Sequence, residues 1–116
     1  MSVESQTYQL VLTSISAGRL WVSLHAFREA EADRLSFGEI EAASLAGECV
    51  EDYPDDPRGA SCLILGRDAG GGALHALWGF DEPSQHAILI TVYRPDPQRW
   101  SADFRRRRAR DGGRAE

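Results

Sequence analysis

Three histidines and one loop arginine are the side chains of this sequence best suited to chemistry. Histidine serves general acid and base catalysis because its pKa lies near neutrality. A metal-independent reaction of this kind needs a base, an acid and a group that stabilises the developing charge. His75, Arg58, Tyr93 and His25 form the candidate catalytic set. His86, at a strand start beside a turn, is expected to be a surface residue.

His75 is the first candidate because of its place in a predicted strand. It alternates with an apolar row that runs from Leu74 to Phe80, so it points to the open face of the sheet if the helices cover that row. Tyr93 shares the face of His75 if Leu89 does, which the sequence leaves open. The alternative is a structural histidine that is bonded to a neighbouring backbone.

The other candidates also have structural interpretations. His25 opens a predicted helix, and it either supports the site or ties the helix start to the sheet or loop. Arg58 stands between a proline and a glycine, where its guanidinium either grips a phosphate through two hydrogen bonds or pairs with an aspartate of its own loop. Tyr93 is either a stacking ring or a core ring.

Two proline-containing segments are predicted to frame the site. Residues 51–59 (EDYPDDPRG) form an acidic loop between two apolar runs, and residues 91–97 (TVYRPDP) echo it at the end of the last strand. The spacing of the acids matches no metal-binding loop, so a solvated turn is the preferred interpretation. No phosphate-binding glycine loop, nucleophile elbow or zinc motif is present, and neither a cofactor nor a metal is predicted.

The composition predicts one small domain with an uneven charge. A chain of 116 residues has room for one hydrophobic core. No membrane-length apolar run or signal pattern is visible, so the cytoplasm is the expected compartment. Residues 99–116 hold seven arginines against three acids (+4), and the rest holds six against fifteen (−9). The acidic body argues against broad nucleic-acid binding, while the basic tail could contact RNA or an acidic partner. The two cysteines, Cys49 and Cys62, are expected to be buried apolar residues.

Hydrophobic periodicity predicts helices first and strands second. Three helices are predicted, at residues 5–17, 24–34 and 36–47, the last introduced by a capping box at Ser36 and Glu39. Residues 5–17 also fit the alternation of a strand, and the helix is the preferred interpretation. Four strands are predicted, at residues 48–53, 61–66, 73–80 and 86–94. Leu24, Phe27 and Ala30 are expected to face the core from the second helix, and Val50 from the first strand.

These elements predict an α+β fold, with the N-terminal helices packed on a four-stranded antiparallel β-meander. Residues 20–23 are expected to be short and extended, with Trp21 and Val22 favouring β-structure. Residues 1–100 form the predicted compact domain. A short helix from Ser101 and a flexible arginine-rich tail are expected to follow in residues 101–116.

Four motifs carry a family resemblance: His25-Ala26 at a helix start, residues 51–59, Leu74-His75 in a strand, and residues 91–97. They resemble a bacterial domain-of-unknown-function family that is usually grouped with the RelE-like toxin superfamily, alongside BrnT-type and MqsR-type toxins. The resemblance covers roughly residues 5–100. It implies a compact RelE-like ribonuclease fold, toxin ancestry and a small zinc-finger, antitoxin-like protein partner.

The chain departs from the family pattern in two places. Residues 28–34 are highly charged, where the family has an apolar, glycine-containing helix end. The body is also more acidic than active ribosome-associated toxins. Both departures weaken the transfer of nuclease activity to this chain.

Two functions are consistent with these residues. One is a toxin-like, metal-independent endoribonuclease that uses His75, Arg58 and Tyr93, with His25 in support. The other is a non-catalytic domain that binds a protein partner through the acidic loop and basic tail. The arrangement of the side chains distinguishes the two functions. The enzyme is favoured if His75, Arg58 and Tyr93 meet in an open cleft. It is disfavoured if His75 is buried under the helices.

Overall fold

Three helices pack on one face of a five-stranded sheet. The structure is a computed structural model that describes residues 4–109. The elements in chain order are α1 (Gln6–Ser16), β1 (Leu20–Val22), α2 (Leu24–Ala32), α3 (Phe37–Leu45), β2 (Glu48–Tyr53), β3 (Ser61–Arg67), β4 (Ala73–Asp81) and β5 (His86–Tyr93). The strand order is β1-β5-β4-β3-β2, with β1 parallel to β5 and every other pair antiparallel.

A serine starts each helix. The hydroxyls of Ser5, Ser23 and Ser36 each accept a hydrogen bond from a backbone N–H in the first turn. This satisfies a donor that has no partner within the helix. At Ser36 the Glu39 carboxylate also bonds back to the serine backbone, so the predicted capping box is confirmed.

The predicted α+β class is confirmed, but the four-stranded antiparallel meander is wrong. The extended segment at residues 20–22 was not counted among the strands of the sheet. It forms β1 and pairs in parallel with β5, with Leu20 opposite Ala87 and Val22 opposite Leu89. The sheet is therefore mixed and has five strands. Antiparallel neighbours can be linked by short turns, whereas the β1–β5 pair joins residues more than 60 positions apart.

The main core fills the space between the helices and the sheet. Both cysteines lie in it as free thiols, as expected. Three residues predicted to face the core are not buried. α2 buries Ala30 as predicted, together with Ala26, but Leu24 and Phe27 are exposed. In β2 it is Cys49 that is buried, and Val50 is only partly covered.

Two β-bulges change which face the later residues of β2 and β5 occupy. In β2 the register shifts between Cys49 and Glu51. In β5, Leu89 pairs with Trp78 and Thr91 with Leu77, which leaves Ile90 as the extra residue. A bulge re-aims the side chains that follow it. Glu51 and Tyr53, and likewise Thr91 and Tyr93, thereby point away from the helices, to what we call the outer face.

The C-terminal segment (residues 96–109) covers one end of the outer face. Its described residues form turns closed by a bridge between Trp100 and Arg107, and not the predicted helix from Ser101. Phe104 has a φ of +62°, which a helix does not accommodate. The predicted tail falls partly on residues 110–116, which lie outside the described residues.

Candidate functional site

His75 and Tyr93 meet on the outer face, below the C-terminal segment. They are paired across β4 and β5, and His75 Nδ1 lies 3.2 Å from the Tyr93 hydroxyl. His75 Nε2 lies 2.9 Å from the carbonyl oxygen of Phe104, and the Trp100 ring packs edge-on at 4.3 Å. His75 is 0% exposed. It is buried on the side opposite the helices, but that side is not open at this point.

The hydrogen bonds of His75 define its tautomer. A carbonyl oxygen can only accept, so Nε2 carries the proton that it donates to Phe104. Burial lowers the pKa of His75, which keeps the ring neutral, and Nδ1 is then an acceptor for the Tyr93 O–H. Both nitrogens are thus engaged, as in the structural alternative foreseen for this histidine. His75 positions Tyr93 and the C-terminal segment.

A more exposed group of polar side chains lies beside this pair. Arg107 Nε and Nη2 donate to the two carboxylate oxygens of Glu51 at 2.9 and 3.1 Å. The Tyr53 hydroxyl donates to the same carboxylate. The Arg107 guanidinium also lies 4.7 Å above the Trp100 ring, and its side chain is 62% exposed. We call Glu51, Tyr53 and Arg107 the rim.

The electrostatics couple the rim to Tyr93. Burial raises the pKa of Tyr93 to about 12. The charge of Arg107 opposes this shift, while Glu51, Tyr53 and Glu29 reinforce it. Burial and the bond to Glu51 also raise the pKa of Tyr53. The carboxylate of Glu51 raises the pKa of Arg107, so the guanidinium stays charged. At neutral pH the rim therefore holds a charged guanidinium and a protonated phenol.

His25 lies in the first turn of α2, which packs beside β5. Its Nε2 is 3.3 Å from a Glu29 carboxylate oxygen, which also accepts from the Thr91 hydroxyl at 2.5 Å and the Val92 amide at 3.0 Å. The His25 ring is 70% exposed. His25 thus reaches the strand that carries Tyr93 only through Glu29.

Arg58 is not brought to His75 or Tyr93. Its backbone N–H and its guanidinium bond the Asp56 carboxylate at 2.9 to 3.2 Å, and the side chain is 90% exposed. This is the loop-pairing alternative. Arg58 shares a surface depression with Tyr53. The two segments expected to frame the site do so in part, because residues 51–53 and 91–93 both supply outer-face side chains.

Sequence reasoning missed Glu51 and Arg107. Glu51 lies where the predicted strand 48–53 overlaps the predicted acidic loop 51–59, and the bulge that turns its side chain outward has no glycine or proline to mark it. Arg107 was assigned to a flexible tail on the basis of its arginine-rich surroundings. A usable signal was Trp100, because an apolar ring so close to that run indicates that the segment packs.

The fold and the site define a class: an α+β domain with helices on one face of a mixed sheet and a polar group on the other. The chain belongs to the family described as "Domain of unknown function (DUF4258)", whose model matches residues 22–94. The expected domain-of-unknown-function family is thus confirmed, and the relation to RelE-like toxins stays a prediction. No curated protein and no solved structure matches the chain significantly.

Two negative findings concern the described residues. None of the helices within residues 4–109 has the length and apolar character that crossing a bilayer requires. Over the same range, the histidine, cysteine and acidic side chains form no cluster of three or more that could bind a metal ion.

Proposed function

We propose that this chain is a metal-independent endoribonuclease of the toxin–antitoxin type, related to RelE-like toxins and acting on cytoplasmic RNA. One observation carries the proposal: the Glu51 carboxylate lies between the Arg107 guanidinium and the Tyr53 hydroxyl on the outer face. These are a base, a phosphate-binding cation and a proton donor within contact of one another. They fill the three roles that RNA cleavage requires.

The reaction follows from these roles. Glu51 takes the proton of the 2′-hydroxyl, whose oxygen forms a bond to the adjacent phosphorus. Arg107 stabilises the charge on the phosphoryl oxygens. Tyr53 donates its proton to the leaving 5′-oxygen as that P–O bond breaks, and it recovers a proton from Glu51. The products are a 2′,3′-cyclic phosphate and a 5′-hydroxyl, with no net change in the enzyme.

The predicted residues keep supporting roles in this proposal. His75 positions Tyr93 and, through Phe104, the segment that carries Arg107. His25 bonds Glu29, which holds β5 in place. Arg58 pairs with Asp56 and is not assigned a role in catalysis.

Incubation of purified protein with single-stranded RNA tests the proposal. We expect cleavage that persists in EDTA and leaves cyclic phosphate ends, and a drop of about 100-fold or more in Glu51→Gln and Arg107→Ala. Arg58→Ala and Glu31→Gln, which change exposed residues of the same types, are the matched controls and should cleave normally. Equal cleavage by Glu51→Gln and wild type would identify a contaminating nuclease and sink the proposal.

The rival function is a non-catalytic domain that binds a small zinc-finger, antitoxin-like partner through its acidic loop and basic tail. It has less support because two of the described tail arginines already have carboxylate partners within the chain: Arg105 bonds Glu48 at 2.6 Å, and Arg107 bonds Glu51. A pull-down with the product of the neighbouring gene tests it. Stable binding without RNA cleavage would favour this function over the nuclease.

A further inference from the structure

Trp21 is an exposed indole in a chain that buries its other two tryptophans. Its exposed fraction is 48%, against 0% for Trp78 and 3% for Trp100. Its neighbours Leu20 and Val22 pack against the core on the helix side, so Trp21 projects from the outer face. The indole stacks on another ring, that of a histidine, and this arrangement holds it as a fixed flat surface.

Two contacts fix that stack. The partner ring is His86, with centroids 4.0 Å apart and planes 17° from parallel, and its Nδ1 donates to the Ser84 carbonyl oxygen at 3.0 Å. Arg19 donates from Nε to the Gln85 carbonyl oxygen at 2.9 Å, which places a cation at the same turn. Within residues 4–109, Arg19 makes no ion pair with a carboxylate. The Trp21–His86 stack and an arginine without a carboxylate partner therefore lie at the same turn.

This pair belongs to the same face as the rim. The sheet register aligns Trp21 with Ile88, Gly79, Ser61 and Tyr53, in one row that crosses all five strands. Four steps of about 4.8 Å separate its ends, a span of about 19 Å. Exposed aromatic rings thus stand at both ends of a row whose Tyr53 end is part of the rim.

We propose that Trp21, stacked on His86 and flanked by Arg19, binds one nucleotide of a single-stranded RNA. The base stacks on the solvent-facing side of the indole, and a phosphate binds the guanidinium. Aromatic rings bind bases of any sequence because every base has a π-face. Arginine matches a phosphate through paired donors. This inference rests on the proposed function, since it locates a nucleotide of the RNA that the rim cleaves.

A 2′-O-methyl RNA oligonucleotide separates binding from cleavage, because it lacks the nucleophilic hydroxyl. Trp21 is the exposed tryptophan of the three, so acrylamide quenching of tryptophan emission reports mainly on it. The oligonucleotide should protect it from quenching. In anisotropy titrations with labelled oligonucleotide, Trp21→Ala should weaken binding about 5- to 100-fold.

Three further variants sharpen the test. Trp21→Phe keeps a ring and should retain most of the affinity. Arg19→Ala should weaken binding and reduce its salt dependence, because one phosphate contact is lost. Leu24→Ala removes an exposed apolar side chain that has no stacking partner and should bind like wild type.

Wild-type affinity in Trp21→Ala would overturn the nucleotide site, and so would a Trp21 that only a protein partner protects from quenching. Different results would refute the proposed nuclease function. Binding that depends on Trp21, in a protein that cleaves no RNA, would refute the nuclease and leave the nucleotide site standing. Cleavage lost in Glu51→Gln, with binding unaffected by Trp21→Ala, would refute the nucleotide site alone.

Discussion

Trp100 is the residue whose removal tests the covered part of the outer face most directly. Its indole is 3% exposed, lies 4.3 Å from the His75 ring and has the Arg107 guanidinium at 4.7 Å. Truncation of a buried aromatic residue to alanine costs about 3–5 kcal/mol of unfolding free energy. We expect about 3 kcal/mol for Trp100→Ala, since it anchors a peripheral segment that can detach while the sheet stays folded.

The same change exposes the His75 imidazole to water. Burial is the main cause of the low pKa of His75, so its pKa in the variant should rise toward the ordinary value of 6.5. Denaturant unfolding measures the stability, and NMR titration of the imidazole measures the pKa. Trp21→Ala removes an exposed indole and is the matched control, with a loss of at most about 1 kcal/mol and no change in the pKa of His75.

Two results would refute this reasoning. A Trp100→Ala protein that unfolds at the wild-type denaturant concentration would show that the indole does not anchor the segment. A His75 pKa that stays low in a folded Trp100→Ala protein would show that the segment is not what shields the ring. Trp100→Phe keeps a ring over His75 and should recover most of both properties.

Four further changes test other parts of the fold. Gly66→Ala should cost about 1–3 kcal/mol, because an added Cβ would lie 2.4 Å from a backbone oxygen of α3. Gly38→Ala, in open space on that helix, should instead stabilise by about 0.5–1 kcal/mol in the same denaturation assay. Glu29→Ala should cost about 1–3 kcal/mol and speed hydrogen exchange of the Val92 amide, which loses its carboxylate partner. The lowered pKa of His75 contributes stability that is present above about pH 6.5 and lost as the pH falls through the folded pKa, and His75→Gln should flatten that part of the stability–pH curve.

The elements that the sequence predicted correctly are those with a local cause. The capping box at Ser36 and Glu39 lies within one helical turn, and the glycines of residues 70–72 mark the β3–β4 turn. β1 has only three residues, and its pairing partner lies at the far end of the chain. No local pattern indicates a contact of that kind. The short strand was read as extended, but its place in the sheet depends on tertiary packing.

The site was predicted less well because it depends on two bulges. Strict alternation in β5 would place Tyr93 on the same face as Leu89, which is the helix side. The extra residue Ile90 moves Tyr93 to the face of His75. In β2 the corresponding shift brings Glu51 to the outer face. Each bulge shifts the alternation of inward and outward side chains by one residue, and neither bulge is marked by the residue types around it.

Arg107 lies outside the part of the chain that the family model matches. The family match ends at residue 94, so Glu51 and Tyr53 lie within it and Arg107 lies beyond it. A family member could share the entire sheet and still differ in the segment that follows. Gain or loss of that segment would then add or remove the rim cation without disturbing the scaffold. Under the proposed function, nuclease activity would follow the C-terminal segment and not the matched domain.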